Sequence, residues 1–70
     1  MRVSVNGADR ELPDGATVAE VVRISAGVES NGARGTAVAV DAEVVPRSEW
    51  ETTTLRDGQR VELLRAIQGG

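Results

Sequence analysis

The sequence closes on "ELLRAIQGG", so that its last two residues are Gly69 and Gly70. The α-carboxylate of Gly70 is the one group whose type and place suggest chemistry. Such a carboxylate titrates near pH 3.5, is ionised in the cell and is a poor electrophile. A nucleophile can attack it only after it has been joined to a good leaving group. Two glycines make a narrow, adaptable chain end, because a residue without Cβ accepts nearly any φ/ψ. The plain alternative is a frayed terminus, where glycine is common. The dipeptide alone does not decide between them. The domain in front of it must.

The rest of the composition narrows the choices. The chain has 70 residues with no cysteine and no histidine. Disulfides, thiolate metal sites and serine–histidine or cysteine–histidine nucleophile pairs are therefore excluded, and so are the usual general base and zinc ligand. An enzyme built on carboxylates alone remains open, but no pair of acids marks a cleft. No metal site and no bound cofactor is expected. The net charge is −3, and all 8 basic residues are arginine, interspersed with the acids. No basic face for nucleic acid can be read from that pattern, and Trp50, the single aromatic residue, offers no stacking platform. No apolar run approaches a membrane span. Met1 is followed by "RVSV" and not by a charged segment with a long apolar core, so no signal peptide is expected and the expected compartment is the cytoplasm.

The elements that would position the tail can be read in order. "MRVSV" alternates with period two and is valine-rich, as a strand does. Asn6-Gly7 is a hairpin signal, since both residue types tolerate positive φ. "ADREL" is the return strand. A two-residue turn would set Arg10 opposite Val3 on the apolar face, so either the loop is longer or Arg10 lies at an edge and reaches water along its own stem. Pro13, Asp14 and Gly15 form a turn. Thr17 and Glu20 have capping-box spacing at the start of a helix of about ten residues, with Val18, Val21 and Val22 on one face and Gly27 as its C-cap. Valine is a mediocre helix former, so packing must hold this helix.

"ESNGARG" is a polar loop. "TAVAV" is a strand with Val38 and Val40 on one face and small alanines on the other. Asp41-Ala42 turns into "EVV", Pro46 stops that strand, and Ser48 to Trp50 form a short helical turn. "ETTTL" is expected to be an exposed connection. Asp57-Gly58 turns into the last strand, with Val61 and Leu63 on one face and Glu62 and Leu64 on the other. Trp50 is expected in the core, where its indole N–H needs a partner. The four arginines at 47, 56, 60 and 65 read as solvated surface.

This order, β-β-α-β-β-turn-β, describes an α+β protein of the β-grasp, or ubiquitin-like, class. One helix packs across a mixed sheet of about five strands, with the last strand between the two hairpins. Residues 1–66 form the domain and residues 67–70 a flexible Gly-Gly tail, which would leave from the middle of the sheet.

Several stretches also resemble one family. The strand and hairpin from Ala37 to Val45, "VPRSEW" at Val45 to Trp50, "LRDGQRVELL" at Leu55 to Leu64 and the closing Gly69-Gly70 look like the ThiS family, the sulfur carriers of bacterial thiamine biosynthesis. "SVNG" at Ser4 to Gly7 and "LPDGATVAEVV" at Leu12 to Val22 agree. The resemblance covers nearly the whole chain and is weakest from Ile24 to Gly35, where Ser25 interrupts the apolar stripe.

The resemblance implies a carrier that performs no catalysis itself. An ATP-using activating enzyme would adenylate Gly70, a sulfur donor system would convert the adenylate to a thiocarboxylate, and a thiazole synthase would take the sulfur. Gly69 would serve the threading of the tail. Leu64, Ile67 and Gln68 would contact the activating enzyme, against the plainer reading of singly exposed apolar residues. Three other classes stay open: the small subunit of molybdopterin synthase, a ubiquitin-like protein modifier, and a binding module with an idle tail. The chain has no lysine, so it could not itself be extended into lysine-linked polymers.

Overall fold

The computed structural model describes residues 1–26 and 35–65. The first hairpin is β1, Arg2–Val5, and β2, Ala8–Glu11, paired antiparallel with Val3 opposite Arg10. Its turn is the two-residue one: Asn6 and Gly7 have φ of 50° and 86°, the I′ pattern that matches the right-handed twist of the strands. Of the two alternatives for Arg10, the edge position holds. Arg10 is exposed on the outermost strand beside Val5, Leu12, Val21 and Ile24. Met1 lengthens the hairpin by one pair, its ammonium donating to the Leu12 carbonyl at 2.8 Å while its own carbonyl accepts from the Leu12 amide at 2.8 Å.

Helix α1 spans Val18–Ala26. Its start differs from the expected capping box. Among the described residues Thr17 and Glu20 make no reciprocal side-chain bonds, and the Glu20 amide takes the Thr17 carbonyl at 3.1 Å. The first amides, which no helix can satisfy internally, are taken by main chain from a distant segment. Val18 N donates to Thr53 O and Ala19 N to Trp50 O, each at 3.0 Å, and Leu55 N returns a bond to Ala16 O at 2.8 Å. A bridge between Thr17 and Thr54 completes the seam. For the same reason "ETTTL" is not simply exposed: Leu55 is buried at 3% exposure. Gly27 and most of the polar loop after it lie outside the described residues.

The second hairpin is β3, Thr36–Val40, and β4, Glu43–Val45, joined by Asp41 and Ala42. A 3-10 turn follows over Arg47–Glu49, with Trp50 at its end, one residue earlier than expected. Asp57 and Gly58 turn the chain into β5, Arg60–Arg65. The sheet order is β2-β1-β5-β3-β4, with β5 parallel to β1 and antiparallel to β3. The last strand is therefore central, as the element order required of a β-grasp.

Valine supplies most of the core. Val3, Val5, Val38, Val40 and Val61 from the strands meet Val18, Val21 and Val22 from α1, with Leu12, Ala16, Trp50 and Leu55 closing the edges. Each such aliphatic side chain contributes about 1.5–3 kcal/mol when fully buried. Among the described residues no polar or charged side chain is buried. The β-branched residues suit the strands, and the helix that contains four of them is held by this packing and by the seam at its start.

Candidate functional site

The alternation that buries one face of the sheet displays the other. Along β5, Val61 is fully buried and Leu63 half-buried against the core, while Glu62 and Leu64 are exposed on the opposite face. Register then fixes what surrounds Leu64. It stands opposite Ala37; Glu62 stands opposite Ala39; and Ala39 on its other side faces Val44 of β4. Leu64 is 65% exposed and Val44 75% exposed. The two alanines between them are low, so Leu64 and Val44 rise at opposite corners of a shallow apolar patch with Glu62 beside it. Charged residues continue the same face, with Arg60 and Glu62 beside Asp41, Ala42 and Gly58 in a shallow depression.

Leu64 was legible from sequence as an outward residue of the last strand. Val44 was not, because a three-residue strand carries too little alternation to assign a face. Only the pairing of Val44 with Ala39 places it on the side of Leu64.

Side chains from both hairpin turns hold the central strand. Asn6 Oδ1 accepts from the Leu63 amide at 2.8 Å. Asp41 Oδ1 accepts from the Arg60 amide at 3.0 Å, its Oδ2 accepts from Gln59 Nε2 at 3.2 Å, and its own amide donates to the Arg60 carbonyl at 2.8 Å. Gln59 in turn accepts the Arg56 amide through Oε1 at 2.7 Å. At the start of β1, Asp57 Oδ1 takes the Arg2 amide at 2.7 Å and Gly58 N donates to Arg2 O at 2.7 Å. Sequence reading identified Asn6, Asp41 and Asp57 as turn residues but not as partners of β-strand amides. Their type was the available signal, since glycine would serve the positive φ at Asn6 and Asp41 equally well, and only an Asx side chain adds an acceptor.

The arrangement presents a surface and a strand exit. Among the described residues no group of acids, histidines or cysteines stands close enough to hold a metal ion, and no helix is long and apolar enough to cross a membrane. Gly69, Gly70, Ile67 and Gln68 lie outside the described residues, as does the boundary between domain and tail at residue 66.

A match to one protein family spans residues 3–70, which takes in the whole fold and the Gly-Gly end. The chain belongs to the ThiS family. Solved structures agree with this ThiS-family assignment. A crystal structure of the thiamine biosynthesis protein ThiS from Geobacter metallireducens superposes with a TM-score of 0.77 at 26% identity, covering all of both chains. A solution structure of a thiamine biosynthesis protein from the same organism gives a TM-score of 0.73 at 29% identity, over 100% of this chain and 88% of that one. No match was found among curated protein sequences.

Proposed function

We propose that this ThiS-family protein is a sulfur carrier for the thiazole of thiamine, with the Gly70 carboxylate as its working group. The observation that carries the reading is the family match, which runs through Gly69 to residue 70. The central place of β5 supports it, because the strand leading to the tail is anchored on both sides.

In the first step a carboxylate oxygen of Gly70 attacks the α-phosphorus of ATP in the activating enzyme. Pyrophosphate leaves, and a mixed anhydride with AMP forms. In the second step hydrosulfide supplied by the donor system attacks the Gly70 carbonyl carbon, the C–O bond to the phosphate breaks, AMP departs with that oxygen, and the sulfur loses its proton to solvent. The product is a thiocarboxylate, and its sulfur is then delivered to a thiazole synthase. The carrier contributes no catalytic group and binds no cofactor; ATP belongs to the activating enzyme. Gly69 lets the tail enter a closed site without a side chain. The partner enzyme reads the face on which Leu64 and Val44 stand, with Ile67 and Gln68 of the tail continuing the contact. Residues 1–66 are the handle and 67–70 the substrate. The setting is the cytoplasm, and neither nucleic acid nor membrane takes part.

Deletion of the gene tests the pathway. The deleted strain is expected to require the thiazole moiety for growth, with the requirement relieved by the intact gene and not by one lacking Gly70. A requirement for molybdopterin would move the protein to that pathway. Higher-mass conjugates that vanish with the gene would make it a protein modifier.

A further inference from the structure

Turn chemistry and tail geometry meet at Asn6. In β5 the odd-numbered residues direct their amides and carbonyls toward β1, and the even-numbered ones toward β3. Ser4 N donates to Gln59 O at 3.0 Å and Asn6 N to Val61 O at 2.9 Å, whereas the Arg60 carbonyl accepts from Asp41 on the other side. The parallel ladder with β1 stops at Val5 opposite Val61. Beyond it Asn6 adopts φ of 50° and the chain turns away into the hairpin. The next amide facing that side belongs to Leu63. Its acceptor is Asn6 Oδ1 at 2.8 Å, standing where the carbonyl of a longer β1 would be.

We propose that Asn6 is a positioning residue for the C-terminal tail: its side chain extends the grip on β5 from Val61 to Leu63, next to Leu64 and the exit of the chain. The role rests on the sulfur-carrier reading, in which that exit is what the activating enzyme receives. Past Val61, among the described residues, main-chain pairing holds the strand on one side only, through Ala37 opposite Leu64 and Thr36 opposite Arg65. A ribbon held on one side twists and frays more readily than one held on both. Asn6 supplies the second side at Leu63, which fixes the direction in which Leu64 faces and from which the tail departs. The residue must satisfy two demands at once, left-handed backbone and a short side-chain acceptor. Glycine meets the first only. Aspartate meets both.

That difference supplies the test. In Asn6→Gly the turn retains its conformation and only the acceptor is lost, while Asn6→Asp retains both. Amide exchange is read at Leu63, with Glu62, whose amide faces β3, as the internal reference. Pyrophosphate exchange with the activating enzyme of the same genome is read against carrier concentration. Asn6→Gly is expected to speed exchange at Leu63 about 10-fold and leave Glu62 unchanged, and to raise the KM for the carrier about 5-fold at constant kcat, in keeping with loss of one net hydrogen bond. Asn6→Asp is expected to restore both. Unchanged exchange at Leu63, or faster exchange with unchanged KM in the face of an activated wild type, overturns the positioning role alone. A wild-type carrier that is not activated at all overturns the carrier reading, and the role for Asn6 in it, while the exchange data still report whether the clamp exists.

Discussion

Trp50 donates its indole N–H to the carbonyl of Val45 at 2.9 Å, closing the corner that Pro46 begins. The same residue accepts the amide of Ala19 through its main-chain carbonyl at 3.0 Å, so the end of β4 and the first turn of α1 meet on one side chain and its backbone. The residue is 5% exposed, and the Arg47 guanidinium carbon lies 5.9 Å from the ring centroid. Trp50→Ala is expected to lower stability by about 3–5 kcal/mol through the cavity it leaves. Trp50→Phe keeps most of the apolar contact and loses the bond to the Val45 carbonyl, at about 0.5–1.5 kcal/mol. Denaturation followed by circular dichroism measures both, and an unchanged midpoint for Trp50→Ala would contradict the packing described.

Ala42 carries backbone strain that sequence alone did not show. Its φ is 69°, after Asp41 at 50°, so a residue with a Cβ occupies a left-handed position. Ala42→Gly removes that penalty and should stabilise the protein by about 0.5–1 kcal/mol after the flexibility glycine adds to the unfolded chain. The thermal midpoint should rise, with no change in activation. A fall would mean the Ala42 methyl makes contacts worth more than the strain.

Leu64 should separate binding from folding. Because it is exposed and faces Ala37 across the outer side of the sheet, Leu64→Ser should change stability by no more than about 0.5 kcal/mol. Loss of a docking anchor should instead raise the KM for activation on the order of 10-fold, with kcat little changed. Val44→Ser should act in the same direction, and Arg23→Ala, on the exposed side of the helix, should not. Equal KM values for all three would remove the outer face from the interface.

A side chain at the chain end should do the reverse of one in the core. Gly70→Ala should leave the unfolding midpoint unchanged and cut the rate of adenylation about 100-fold, since a small misplacement of a reacting atom has effects of that size. An ordinary rate would contradict the reading of Gly69 and Gly70 as a thread.

The fold was legible where local signals agreed. The Val3 and Val5 alternation, Asn6-Gly7 and the Asp41-Ala42 turn appear where their chemistry places them, and the short turn at Trp50 lies one residue before its expected place. Sequence reading faltered where distant main chain replaced a local solution. The capping-box spacing of Thr17 and Glu20 is not used, because the Thr17 carbonyl takes the Glu20 amide and the carbonyls of Thr53 and Trp50 take the two amides before it. Leu55 lies in a connection as expected, but it is buried and not exposed, because of that same seam. Arg10 was ambiguous because only the sheet order shows that its strand is an edge. Of the candidate site, Leu64 could be given a face from β5 alone. Val44 and the Asn6 acceptor required register across strands, which no local pattern encodes.

The most direct test of the account is the intact mass of the protein after incubation with its activating enzyme, ATP and a sulfide source. Replacement of one oxygen by sulfur, assigned to Gly70 by fragmentation, is the predicted result. An unchanged mass, with the protein folded and the enzyme active on another carrier, would contradict it.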